Sequence, residues 1–126
     1  MDTPSTPSTF RIDAPHRELL EQVLDTWSLA VLDQLCERPR RFNELRRAIP
    51  AVTQKSLTAT LRRLERNGVV EREVLSTRPV AVQYAITPLG KTLRHPVDVV
   101  LQWAAEHMPA IEQARRTFDA EQDGNA

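Results

Sequence analysis

One cysteine in 126 residues leaves the chain unable to close an internal disulfide. That excludes the disulfide-stapled scaffolds and the zinc sites built on cysteine pairs, and it agrees with a reducing, cytoplasmic setting. No apolar run approaches the roughly 18 residues that a membrane span needs, so no membrane partner is indicated. The opening residues, Met1 to Thr9, have neither a basic n-region nor an apolar h-region, which argues against a secretory signal. Catalytic signatures are missing as well: there is no G-x-S-x-G, P-loop, G-x-G-x-x-G or H-E-x-x-H. His16, His95 and His107 are widely spaced without cysteine companions, so no metal site is expected. Glu71 and Glu73 alternate on one strand face, where a solvent-facing pair is the default over an acid/base pair. Neither an enzyme nor a resident cofactor is therefore expected. Net charge is lacking too, with 17 Lys+Arg against 17 Asp+Glu, which taken alone argues against a uniformly basic nucleic-acid binder. What remains is an ordinary domain, long enough to bury roughly two-thirds of the surface that the unfolded chain exposes.

The zero charge hides a strong local asymmetry. Residues 37–72 carry ten positives and four negatives, a net of +6, whereas residues 1–36 carry −4 and residues 73–126 carry −2. A basic middle between acidic ends fits one face that meets a polyanion, or a solvated charged face. The architecture of the segment has to decide between them.

Glycine is scarce, with three residues, and nine prolines supply the punctuation instead. Residues 1–12, with Pro4 and Pro7 among Ser and Thr, read as a flexible tail. Asp13 can cap a helix bearing Leu19, Leu20, Val23 and Leu24. Asp25 or Thr26 can cap a second, through Trp27, Val31, Leu32 and Leu35, which ends before Pro39. A short third helix runs from about Arg41 to Ala48 with Phe42, Leu45 and Ile49 inward, and Pro50 closes it. Thr53 caps a fourth, residues 53–67, and Gly68 is the expected left-handed residue past its end.

Beyond Gly68 the period falls from 3.6 to 2, giving a hairpin over residues 69–86 whose connection, Leu75 to Ala81, is expected to project as a long loop. Thr87-Pro88 opens another helix, which Pro96 kinks or breaks. A final helix over residues 96–118 and a flexible tail over 119–126 complete the chain. The order is that of a winged helix-turn-helix domain: mainly α with a small β-hairpin, flanked by N- and C-terminal dimerisation helices at 13–24 and 96–118. A small α+β domain with another task has the same order of elements.

On a wheel of about 100° per residue, Leu57, Leu61, Leu64 and Thr60 form one narrow stripe of helix 53–67. Lys55, Ala59, Arg62 and Arg66 gather at the opposite pole, flanked by Thr58. A reading helix enters the major groove by its N-terminal end, where Gln54, Lys55 and Thr58 reach base edges: Gln to adenine, Lys to guanine, the Thr methyl to thymine. Arg62 and Arg63, with Arg41 on the preceding helix and Arg78 at the hairpin tip, are placed for phosphates. The alternative is a structural helix with an ordinary charged surface.

These residues resemble the HxlR-type family of bacterial winged helix-turn-helix transcriptional regulators. The resemblance lies in Arg41-Phe42-Asn43-Glu44-Leu45-Arg46-Arg47, Ile49-Pro50, Gln54-Lys55, Leu57-Thr58, Leu61-Arg62 and Leu64-Glu65, then Gly68, Pro79, Tyr84, Thr87-Pro88-Leu89-Gly90, Pro96 and Trp103. It covers most of residues 17–108. It implies a homodimeric regulator binding double-stranded DNA, usually near its own gene, with Gln54, Lys55, Thr58 and Arg62 on the reading helix and Arg78 at the wing. Two departures stand out. Family members often carry Gly-Lys ahead of the tryptophan, where this chain has Asp25-Thr26 before Trp27. Thiol sensors of the family use a cysteine ahead of or early in the first helix, whereas the thiol here is Cys36, late in helix two, where apolar packing is the default role.

In the last helix Val97, Val100, Leu101, Ala104, Met108 and Ile111 share a broad face, while Val99 and Trp103 form a second stripe. The second stripe, together with Leu19, Leu20 and Val23, is the expected dimerisation surface, unless one thick core takes both. The sequence thus predicts a dimeric, sequence-specific regulator, with repression the expected sign, reading a pseudo-palindromic promoter site and open to a small-molecule effector. The other reading is a winged-helix protein-interaction module without sequence-specific DNA binding.

Overall fold

A computed structural model describes residues 13–125. The tail expected over residues 1–12 lies outside the described residues. Six helices and one hairpin follow in the order α1 (Ala14–Val23), α2 (Thr26–Glu37), α3 (Phe42–Ala48), α4 (Gln54–Arg66), β1 (Val70–Thr77), β2 (Val80–Ile86), α5 (Pro88–Lys91) and α6 (Arg94–Asn125). The chain divides into two compact units with the boundary between Lys91 and Thr92.

Each helix of the first unit begins and ends on local chemistry. The Asp25 carboxylate accepts the Ser28 amide at 2.9 Å and starts α2, and the Thr53 hydroxyl accepts the Ser56 amide at 3.0 Å and starts α4. Asp13 stands at the N-cap of α1 without a side-chain capping bond. At the end of α4 the Gly68 amide reaches the Glu65 carbonyl and the Val69 amide reaches the Leu64 carbonyl. This paired closure needs a left-handed residue, and Gly68 supplies it with φ of 78°.

The core of this unit is drawn from every element except α5. Val23, Val31, Leu32, Leu35, Leu45, Ile49, Val52, Leu57, Leu61, Leu64, Val69, Val70 and Ala85 are buried. Val23 was expected on the dimerisation surface with Leu19 and Leu20, but it is 2% exposed. It sits at the last turn of α1, where that helix packs on α2 and α4, so its side chain belongs to the protomer's own core.

The hairpin differs from its expected form. β1 and β2 pair antiparallel from Val70–Ile86 out to Thr77–Val80, with a register shift between Val74 and Ser76. The long loop over 75–81 is therefore a two-residue turn at Arg78-Pro79, whose peptide bond is cis. Leu75, Ser76, Thr77 and Val80 accept strand geometry, and the irregularity at Leu75 absorbs the extra residue that made the segment look like a loop. An isolated bridge joins Arg40 to Tyr84 on the edge of β2 away from β1, through bonds of 2.9 and 2.7 Å, and ties the residue ahead of α3 to the hairpin.

Thr87 and Gly90 fasten the base of the hairpin. The Thr87 hydroxyl donates to the Gly68 carbonyl at 2.6 Å and accepts the Gly90 amide at 3.0 Å. Gly90 is buried, and a Cβ there would overlap the Val69 carbonyl oxygen and crowd Ile86.

In the second unit, α6 starts at Arg94, which places Pro96 in the first turn, where its missing N–H costs nothing. The break attributed to Pro96 falls instead at Thr92-Leu93, between α5 and α6. The helix runs through Pro109 and on to Asn125, beyond the expected end at residue 118. Residues 119–123 contain no helix breaker, and Ala120 and Glu121 are strong helix formers. Of the broad face expected on this helix, Val97, Ala104, Met108 and Ile111 are half-buried, while Val100 and Leu101 are exposed.

Replacing Gly90 with Ala is expected to lower unfolding free energy by about 1–3 kcal/mol, the usual cost of overpacking, in urea titrations. Gly124→Ala, where a Cβ meets open space, is the matched control and should leave stability unchanged or slightly raised.

Candidate nucleic-acid interface

The amphipathic stripe of α4 fixes what the helix offers outward. Leu57, Leu61 and Leu64 are at most 2% exposed and Thr60 is 1% exposed, which leaves the opposite face in solvent. Gln54, Lys55, Thr58, Ala59 and Arg62 are exposed and, with Arg63 at its edge, line one open concavity of about 760 Å³. The residues expected to reach bases are thus brought to one surface at the N-terminal half of α4.

A second concavity, about 580 Å³, lies between α3 and the hairpin and is lined by Arg41, Phe42, Asn43, Glu44, Arg47, Val80 and Val82. It joins the start of α3 to the wing, and Arg78 stands exposed at the hairpin turn beyond it. Asn43, Arg46 and Arg47 form a neighbouring polar surface. Asn43 and Arg47 are not among the expected site residues, although both stand in the stretch 41–47 that carries the family resemblance.

The basic block is not uniformly free. Arg38 pairs with Glu44 at 3.0 Å, Arg40 with Glu37 at 2.7 Å, and Arg63 with Asp25 at 3.1 Å. Arg41, Arg46, Arg47, Lys55, Arg62, Arg66, Arg72 and Arg78 are exposed and make no ion pair with another described residue. Pairing therefore concentrates the unbalanced charge on α3, α4 and the hairpin.

Arg63, expected with Arg62 as a phosphate contact, has a half-buried guanidinium turned to the start of α2, bonding Asp25 and, at 3.3 Å, the Thr60 hydroxyl. The N-cap carboxylate provides a fixed negative charge there, and a cation one residue off the exposed pole is captured by it.

Two carboxylates are held in their charged form. At Asp25 burial works against ionisation, but the Ser28 amide and hydroxyl and the Arg63 guanidinium outweigh it and lower the pKa. At Glu44 the Arg41 amide, bonded at 2.9 Å, is the leading cause of a lowered pKa, followed by Arg38. Glu44 thereby orients the first turn of α3, where Arg41 enters the interface.

A family model described as HxlR-like helix-turn-helix matches residues 22–112. The chain belongs to this family. It is 33% identical over 106 residues to the HTH-type transcriptional regulator YtfH of Escherichia coli (strain K12), covering 84% of each chain. The solved structure of the transcriptional regulator ytfH from Salmonella typhimurium is similar at a TM-score of 0.72 and 31% identity, over 85% of this chain and 96% of that one. The reduced form of the redox regulator HypR is similar at a TM-score of 0.70 and 33% identity, over 79% and 99% of the two chains. In this HxlR-like fold α3 and α4 are the helix-turn-helix, β1 and β2 the wing, and the chain is a transcriptional regulator rather than a member of an enzyme family. Among the described residues no helix is long and apolar enough to cross a membrane.

Because both lowered carboxylates ionise more readily in the folded chain than in the unfolded one, their contribution is complete only above the unfolded values, from about pH 5.5 upward, and is lost as pH falls through the folded values. Stability measured from pH 7 to pH 2 should therefore decline below about pH 5, and Asp25→Asn should flatten part of that decline.

Proposed function

We propose that the chain is a homodimeric, sequence-specific DNA-binding repressor whose two α4 helices read successive major grooves of a pseudo-palindromic promoter site. The observation that carries this reading is the exposed, unpaired pole of α4. Gln54, Lys55 and Thr58 offer base-reading groups there, and Arg62 follows as a phosphate contact. Arg41 and Arg47 extend the phosphate track along α3, and Arg78 at the wing turn carries it beyond. A domain seated on a promoter excludes polymerase by occupancy, so repression is the proposed sign. The same reading places the protein in the cytoplasm, assigns it no catalytic role, and leaves it open to a small-molecule effector.

Exposed apolar surface supports the dimer. Leu19 and Leu20 of α1 and Leu24 just past its end are 43%, 39% and 40% exposed, and on α6 Val99 and Trp103 are 51% and 54% exposed, with the Trp103 ring stacked on His107 at 5.3 Å. Apolar surface of this kind favours a partner. A two-fold dimer sets its reading helices about 34 Å apart, one turn of DNA. HypR is a redox regulator; here the thiol, Cys36, is half-buried late in α2, and we assign it a packing role.

With three or four phosphates touched per protomer, log K against log salt concentration should slope by about −5 to −7. Lys55→Ala combined with Arg62→Ala should abolish protection of the operator in footprinting of DNA flanking the gene; binding that survives both changes sinks the reading in favour of a protein-interaction module. Trp103→Ser combined with Val99→Ser should shift the protein toward monomer in sedimentation velocity while far-UV circular dichroism is kept.

A further inference from the structure

The leucine stripe that anchors α4 is narrow, and a helix held by one narrow stripe is free to roll about its axis. On the wheel Leu64, Leu57 and Leu61 span only about 60°. A roll of 20° at a side-chain radius of about 5.5 Å displaces outward groups by about 2 Å, enough to take a base-reading amide out of hydrogen-bond range. Something besides the leucines has to set the angle.

One flank of α4 carries that second attachment. Thr60, Arg63 and Asn67, at roughly 300°, 240° and 280° on the same wheel, all engage polar partners. The Arg63 guanidinium bonds Asp25 at 3.1 Å and Thr60 at 3.3 Å. The Asn67 amide donates to Gln22 Oε1 and to the Arg63 carbonyl, both at 2.8 Å. The Ser28 hydroxyl lies 2.9 Å from the Gln22 carbonyl and 3.0 Å from Asp25 Oδ2, closing the network across the junction of α1 and α2. Ser28 and Thr60, the buried polar residues of the described core, both belong to it. Buried polar networks with every member satisfied specify one arrangement where apolar contacts allow several.

We infer that Asp25 and Arg63 are positioning residues for DNA reading: they fix the roll of α4 from the α1–α2 junction, and Arg63 acts through Asp25 instead of on a phosphate. The inference rests on the DNA-reading role proposed for α4. It gives Asp25, which stands where the resemblance leads one to expect glycine, a task on the reading helix 38 residues away. It also links the reading helix to the helix whose exposed leucines are offered to a partner.

The test compares Asp25→Asn, Arg63→Met and the double variant on a duplex enriched by the wild-type protein from a random-sequence pool. Asparagine keeps the cap on Ser28 while removing the charge that holds Arg63. Each single variant should weaken binding by about threefold to tenfold, the double no more than the weaker single, with the salt slope unchanged. If Arg63 were a phosphate contact, Asp25→Asn would release it and leave binding equal or tighter, and Arg63→Met, which removes one contact from each protomer, would lower the slope by about two; that outcome overturns the inference. Failure of the DNA reading itself would show separately, as wild-type binding that is absent or indifferent to Lys55→Ala with Arg62→Ala. Hydrogen exchange along α4 then decides without DNA: faster exchange at the amides of Thr60 to Asn67 in Asp25→Asn supports the inference, and unchanged exchange overturns it.

Discussion

Burial of the apolar stripe of α4 against α1, α2 and β1 is the interaction from which the rest of the interface follows. Leu57, Leu61 and Leu64 are withdrawn almost completely from water, each contributing about 1.5–3 kcal/mol by area. Together that is on the order of a small domain's whole net stability. Because these residues recur at helical spacing and nothing apolar of comparable size stands opposite them, the outer face is left polar and cationic. The same burial that stabilises the fold therefore presents Gln54, Lys55, Thr58 and Arg62 together. Loss of packing here would disperse these outward side chains along with the core.

Charge is then sorted by local pairing. Glu37, Glu44 and Asp25 each take one arginine out of the basic block, and each stands at or near a helix end. Asp25 and Glu44 serve two purposes, accepting a backbone amide that starts a helix and holding a guanidinium. Capping and electrostatic focusing are thus produced by the same carboxylates. The arginines left over lie on α3, α4 and the wing, so a chain of zero net charge still carries a face suited to a polyanion.

Much of this was legible in the linear chain because it depends on neighbours within one or two turns. Thr53 and Asp25 as caps, Gly68 as the left-handed closure, Thr87-Pro88 as a helix start and the inward stripe of α4 all follow from spacing and side-chain chemistry over short windows. What was not legible depends on partners far apart in sequence. Nothing around Arg63 announces that its counter-ion lies before α2, and nothing around Arg40 announces its bridge to Tyr84. Val23 matches Leu19 and Leu20 in character, yet its place in the last turn of α1 buries it while they stay in solvent. The hairpin turn and the start of α6 differ from the local reading for a related reason: Pro79 and Pro96 weigh heavily there, whereas cross-strand pairing and the tolerance of a helix's first turn for proline override them.

By itself the sequence determined most of the elements, the inward stripe of α4 and the polar, cationic face opposite it, since periodicity and capping act within a few residues and need no fold to be read. Only the tertiary structure decided which of the many arginines remain available to a polyanion and which are spent on carboxylates. That choice rests on distances between groups separated by tens of residues, which no local pattern encodes. The basic block is a property of the chain, but the charged face is a property of its packing.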